Sequence, residues 1–202
     1  MRSTGRILVA YATEQGSTEE IADFVAAELQ MGGRTVDVRS VTEPIDLCLY
    51  DAVVLGSAVH DRALLPAAEL FAWKESEVLR SKQVWLFSVG VGPALRGPIG
   101  AILRHAVPKR INQVGRLVEA RDYRAFAGVL RDGTSRIIRL LLTIVGGRFG
   151  DLRDWSAIEA WTADVADALP GSPRSRPDHR RRAVAPGDES TVDGSVAGTG
   201  TG

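Results

Sequence analysis

Between residues 7 and 25 the chain reads ILVAYATEQGSTEEIADFV: an apolar run, a short polar loop, then an amphipathic pattern. The loop gathers the groups that hold a small anion. Thr13, Ser17 and Thr18 carry hydroxyl donors, Gly16 lets the backbone come close to a ligand, and Glu14 and Gln15 complete the turn. Where a helix starts inside such a loop, its first N–H groups lack intrahelical partners and carry about half a positive charge. A phosphate monoester placed there accepts several hydrogen bonds at once. Glu14 is an awkward neighbour for a dianion, so its side chain is expected to point outward. A turn that only caps the helix would draw on the same residue types.

Three common phosphate-binding designs are testable on the sequence. A P-loop needs Gly-Lys-Ser/Thr, and no such tripeptide occurs. The nearest run to a dinucleotide fingerprint, Gly90-Val91-Gly92-Pro93-Ala94-Leu95, lacks the third glycine and lies far along the chain. A phosphoacceptor receiver domain wants acidic residues after its first strand and an Asp ending the third. Those places hold Ala12-Thr13 and Gly56-Ser57. No Ser-His-Asp set, acid–base pair or metal-ligand cluster emerges, so no catalytic residue is assigned and no metal is expected.

The elements that must position the loop follow from periodicity. Residues 6–11, 51–57, 84–90 and 123–130 are apolar, β-rich runs, and 35–41 alternates and reads as a further strand. Near-continuous runs of this kind suit a parallel sheet covered on both faces. Helical spacing occupies 17–31, where Ile21, Phe24, Val25 and Leu29 share a face and Gly32-Gly33 end it. A second helix is expected over 65–79 with Leu70, Phe71 and Val78. A third starts at 99–105, with Pro108 interrupting. The last spans 156–169, with Ile158, Trp161, Val165 and Leu169 on one face and Asp154 as its N-cap. Alternating strands and helices imply an α/β, doubly wound domain, and five parallel strands favour the order 2-1-3-4-5.

The 202 residues suffice for one domain, placed at 1–170, and a tail at 171–202 that is rich in Gly, Pro, Ser and Arg and expected to be disordered. The tail holds five Arg against three Asp and one Glu, so the body carries 20 basic and 21 acidic residues. That balance gives no reason to expect a nucleic-acid partner, and the Arg180-Arg181-Arg182 run reads as solvated. A single cysteine, Cys48, excludes an intrachain disulfide, suits a reducing compartment and is expected to be a buried packing residue. No signal peptide or membrane-spanning run is visible, so a cytoplasmic protein, at most peripheral at the inner membrane face, is expected.

The run Tyr11-Ala12-Thr13-Glu14-Gln15-Gly16-Ser17-Thr18, followed by Ala22 and Val25, resembles the signature of the flavodoxin family. Ala10 departs from it, since that place usually holds a larger residue. The resemblance implies a flavodoxin-like fold and FMN, with the phosphate at Thr13, Glu14, Gln15, Gly16, Ser17 and Thr18. It places the ring at the carboxyl ends of the third and fourth strands, on Ser57, Ala58, Val59 and His60 and on Ser88, Val89, Gly90, Val91 and Gly92. Backbone amides in these small loops can approach the ring edge and tune its electronics. Neither loop carries Trp, Tyr or Phe. Three or four charge-assisted hydrogen bonds of about 1.5–3 kcal/mol each fall short of the ~12 kcal/mol of nanomolar binding. Weak flavin retention is therefore expected. Trp155 is expected to pack at the start of the last helix.

The second half, Phe126-Ala127-Gly128, then Gly146-Gly147, then Gly150-Asp151-Leu152-Arg153-Asp154-Trp155, is similar to the menaquinone-dependent protoporphyrinogen dehydrogenase family. That likeness implies an oxidoreductase that passes electrons from a porphyrinogen-type substrate to a quinone, and an extra apolar helix before the last one. Residues 135–145 fit that helix, which is expected to be buried, to form a homodimer or to touch a membrane surface. Val59-His60-Asp61-Arg62 replace the basic and aromatic residues of the well-characterised enzymes, and only Arg62 suits a propionate. A diffusible electron carrier, or an interaction module on the same fold without its cofactor, are the alternatives.

Overall fold

The computed structural model describes residues 5–90, 107–129 and 153–169. β1 (Arg6–Ala12) runs into α1 (Ser17–Met31), and Gly32 and Gly33, the latter at φ 80°, turn the chain into β2 (Thr35–Ser40). A short 3-10 turn at Leu47–Leu49 precedes β3 (Ala52–His60) and the two-residue β4 (Ala63–Leu64). α2 (Pro66–Lys74), α3 (Ser76–Arg80) and β5 (Gln83–Gly90) follow. The remaining described elements are α4 (Lys109–Leu117), β6 (Asp122–Ala127) and α5 (Trp155–Ala168).

The sheet order is β2-β1-β3-β5-β6, all parallel, with β4 pairing only with β3. Set apart from β4, the five parallel strands have the expected order 2-1-3-4-5. Alternate residues of β1, β3 and β5 feed two cores. Ile7, Val9, Val54 and Phe87 meet Ile21, Val25 and Leu29 of α1 and Ile158, Trp161 and Val165 of α5. Leu8, Val53, Leu55 and Leu86 meet Phe71, Leu79, Ile111 and Val114 on the other face. Burial on both sides is why these strands read as apolar runs rather than as alternation.

Several expectations are corrected. The third strand continues past 57 to His60 and turns back through Asp61 and Arg62, whose φ values are 47° and 63°, into β4. Two consecutive positive φ angles are the signature of a tight two-residue hairpin, here built without glycine. The helix expected over 65–79 breaks at Glu75, and Leu70 is exposed because Ala68, Phe71 and Ala72 take the sheet-facing positions. Pro108 is the N-cap of α4, a helix not expected from the sequence. The fifth parallel strand ends at Ala127, short of 130. Cys48 is exposed, not buried: the helical turn sends Leu47 inward and fans Cys48 and Leu49 outward. The helix expected at 99–105, the apolar segment 135–145 and the tail 171–202 lie outside the described residues.

Candidate functional site

β1 delivers the polar loop to the carboxyl edge of the sheet. There the Thr13 Oγ1 accepts a hydrogen bond from the Gly16 N–H at 2.9 Å, closing the loop on itself. Gly16 sits at φ 86° as the N-cap of α1, a conformation that glycine adopts without steric cost. No side chain caps this helix, and the first helical bond runs from the Glu20 N–H to the Gly16 carbonyl at 3.1 Å. The N–H groups of Ser17 to Glu19 therefore start a turn that by geometry has no upstream carbonyl to bond.

Thr18 is the unusual member. It is 0% exposed, and its Oγ1 has no hydrogen-bond partner among the described residues. A buried hydroxyl left unpaired costs about 1–3 kcal/mol, so such groups are rare unless a ligand or water completes them. Ser17 is half-buried and faces the end of β6: a Cβ built on Gly128 would lie 3.6 Å from the Ser17 Oγ and 3.0 Å from the Val89 Cγ1. Gly128 thus keeps the space between α1, β5 and β6 open, and its N–H bonds the Gly90 carbonyl at 3.1 Å. Glu14 and Gln15 are exposed. Donors without partners, an uncapped helix start and a glycine at close approach together fit a phosphate group.

The second part of the site lies at the ends of β3 and β5, whose register sets Ser57 opposite Ser88 and Ala58 opposite Val89. Gly90 stands beside Val59, since a Cβ on it would meet the Val59 Cβ at 3.5 Å. Ala58, Val59 and Gly90 are half-buried, and Val89 is buried. The two serine hydroxyls are committed to the protein. The Ser57 Oγ donates to the Ala58 carbonyl at 2.8 Å and accepts from the Leu65 N–H at 2.9 Å, which fastens the hairpin to the start of α2. The Ser88 and Tyr123 hydroxyls bond each other at 2.7 Å, and burial raises the Tyr123 phenol above its ordinary range. His60 is exposed, with its Nε2 3.9 Å from an Asp61 carboxylate oxygen. Val91 and Gly92 lie outside the described residues.

A hydrogen bond and an ion pair flank the loop, and neither was foreseen from sequence. The Tyr11 hydroxyl donates to the Glu19 carboxylate at 2.7 Å; burial first, and that carboxylate second, push the phenol up to about 12. Arg153 pairs with Glu20 and lies over the Trp155 ring, 4.5 Å from its centroid, while Trp155 packs on Phe24 at 4.9 Å as expected. The Arg153-Asp154-Trp155 run was the visible signal, though nothing in it names Glu20. Asp154 is the expected cap of α5, accepting from the Ala157 N–H at 3.1 Å. Among the described residues no group of His, Cys, Asp and Glu can hold a metal ion, and no helix is long and apolar enough to cross a membrane.

A family model described as a flavodoxin domain matches residues 8–132. No curated protein matches the chain. Among solved structures, oxidised flavodoxin 1 from Bacillus cereus is similar at 16% identity and a TM-score of 0.53, over 81% of this chain and 99% of that one. Flavodoxin 2 from the same organism is similar at 21% identity and a TM-score of 0.50, over 79% and 99% of the two chains. The rubredoxin oxygen:oxidoreductase of Desulfovibrio gigas is similar at 14% identity and a TM-score of 0.52, over 81% of this chain; the match spans only 36% of that larger protein. At these identities the likeness is one of fold.

Proposed function

Because the chain belongs to the flavodoxin domain family, we propose that it binds FMN and serves as a flavin-dependent oxidoreductase. The buried, unpartnered Thr18 hydroxyl at the uncapped start of α1 carries this reading. The phosphate would be held by the amides of Ser17 and Thr18 with the hydroxyls of Ser17 and Thr18, while Thr13 keeps the loop closed through Gly16. The ring would lie against Ala58, Val59 and Gly90, where small side chains leave the backbone accessible. When bound, the flavin supplies the electron-accepting and electron-donating chemistry. The chain binds and orients it, and the Ser57 and Ser88 hydrogen bonds hold the two ring loops in register.

The finer assignment, electrons from a porphyrinogen-type substrate to a quinone, is supported by the Phe126-Ala127-Gly128 and Arg153-Asp154-Trp155 features alone. An electron carrier that docks by charge has less support, because the body holds nearly equal numbers of acidic and basic residues.

The test is direct. FMN is titrated into the purified protein, and flavin fluorescence and the visible spectrum are followed at equilibrium, a readout that weak retention does not defeat. Saturable binding near one equivalent supports the reading. A folded protein that binds none refutes it and favours the interaction module. Porphyrinogen oxidation with a quinone acceptor then tests the finer assignment.

A further inference from the structure

The Arg153-Asp154-Trp155 run stands outside the phosphate loop and the ring loops, yet its side chains close on the first turns of α1. The Arg153 side chain is only 9% exposed, pairs with the Glu20 carboxylate at 2.5 Å and stacks on the Trp155 ring. Glu20 belongs to the turn whose amides would face a phosphate, and its own N–H bonds the Gly16 carbonyl. That end of α1 is otherwise acidic, with Glu14, Glu19 and Glu20 all exposed. Carboxylates on a first helical turn are drawn to the same positive helix end that a phosphate would use. A dianion arriving there meets like charges unless they are compensated. The Tyr11 hydroxyl tethers Glu19 but brings no charge, whereas Arg153 brings one.

We infer that Arg153 is a positioning residue for the flavin phosphate: by pairing with Glu20 it offsets the carboxylate charge on the first turn of α1, so that the helix start can accept a dianion. This rests on the FMN reading above. A purely structural role, holding α5 against α1 through Trp155 and Phe24, would stabilise the fold without distinguishing phosphorylated from unphosphorylated flavin.

FMN and riboflavin differ only by the phosphate and so separate the two roles. Both are titrated into the full chain at low salt and followed by flavin fluorescence. Arg153→Gln is expected to weaken FMN binding about three- to tenfold and to leave riboflavin unchanged. Arg153→Lys should keep most of the wild-type FMN affinity, and adding Glu20→Gln to Arg153→Gln should restore it. Glu20→Gln alone removes a carboxylate that is 48% exposed and should tighten FMN selectively, which provides a readout if Arg153→Gln fails to fold. Equal weakening of both flavins by Arg153→Gln, or an unchanged FMN affinity in Glu20→Gln, overturns the inference. A wild-type protein that binds FMN no better than riboflavin removes the phosphate site itself and refutes the broader reading as well.

Discussion

Replacing Thr18 by Val changes one buried hydroxyl to a methyl of similar shape and separates two quantities that usually move together. Thr18 is fully buried and its Oγ1 has no partner among the described residues. Without a ligand, an unpaired hydroxyl of this kind costs about 1–3 kcal/mol, and an apolar isostere removes that cost. Thr and Val have nearly equal helix propensity, so the second position of α1 should tolerate the exchange. The flavin-free variant is therefore expected to be more stable by about 1–3 kcal/mol, or about 2–4 °C in Tm per kcal/mol for a domain of this size. FMN binding should move the other way. Loss of a hydrogen bond to a charged phosphate, about 1.5–3 kcal/mol, weakens Kd from roughly tenfold to more than a hundredfold. Differential scanning calorimetry of the flavin-free proteins and fluorescence titration with FMN measure the two effects. A variant that is destabilised without flavin and binds FMN as the wild type does would refute the assignment of Thr18 to the phosphate.

Three further outcomes follow from the packing and the titrating groups. Gly56→Ala should cost about 1–3 kcal/mol or more, because its Cβ would fall 2.1 Å from the buried Phe87 ring; a thermal melt checks it. All three tyrosines have raised pKa values, each through burial first, with Tyr11 reaching about 12. The stability linked to their neutral phenols is fully present below the unfolded value of about 10 and is lost as pH rises through the folded values. Alkaline titration of the folded protein at 295 nm should therefore lag behind that of the denatured chain, and Glu19→Gln should bring the Tyr11 step down. The exposed Cys48 should react with a thiol reagent in the native protein at a rate close to that in the denatured chain, whereas protection in the native protein would place it inside.

The strand–loop–helix around Gly16 was legible because its signal is contiguous. A strand, a glycine-centred turn and a helix start occupy residues 6 to 31 without a break, so local geometry alone aims the first-turn amides. The sheet order was legible too, since strands apolar throughout can only be covered on both faces, and right-handed crossovers leave few topologies. Local pattern misled in two places. The apolar stretch around Cys48, expected to bury that thiol, forms a helical turn that exposes it, and the small residues after Gly56, expected as a loop, continue as a strand into a hairpin. Four facts needed the packed chain: that the Thr18 hydroxyl is left unpaired, that Ser57 and Ser88 spend their hydroxyls inside the protein, that Gly128 keeps space beside Ser17, and that Arg153 meets Glu20 across 133 residues of sequence. Residue types and spacing specify what a short segment does to its own backbone. Which charge faces which, and which donor is left over, depends on how distant segments are brought together, and that is settled only when the two cores close on the sheet.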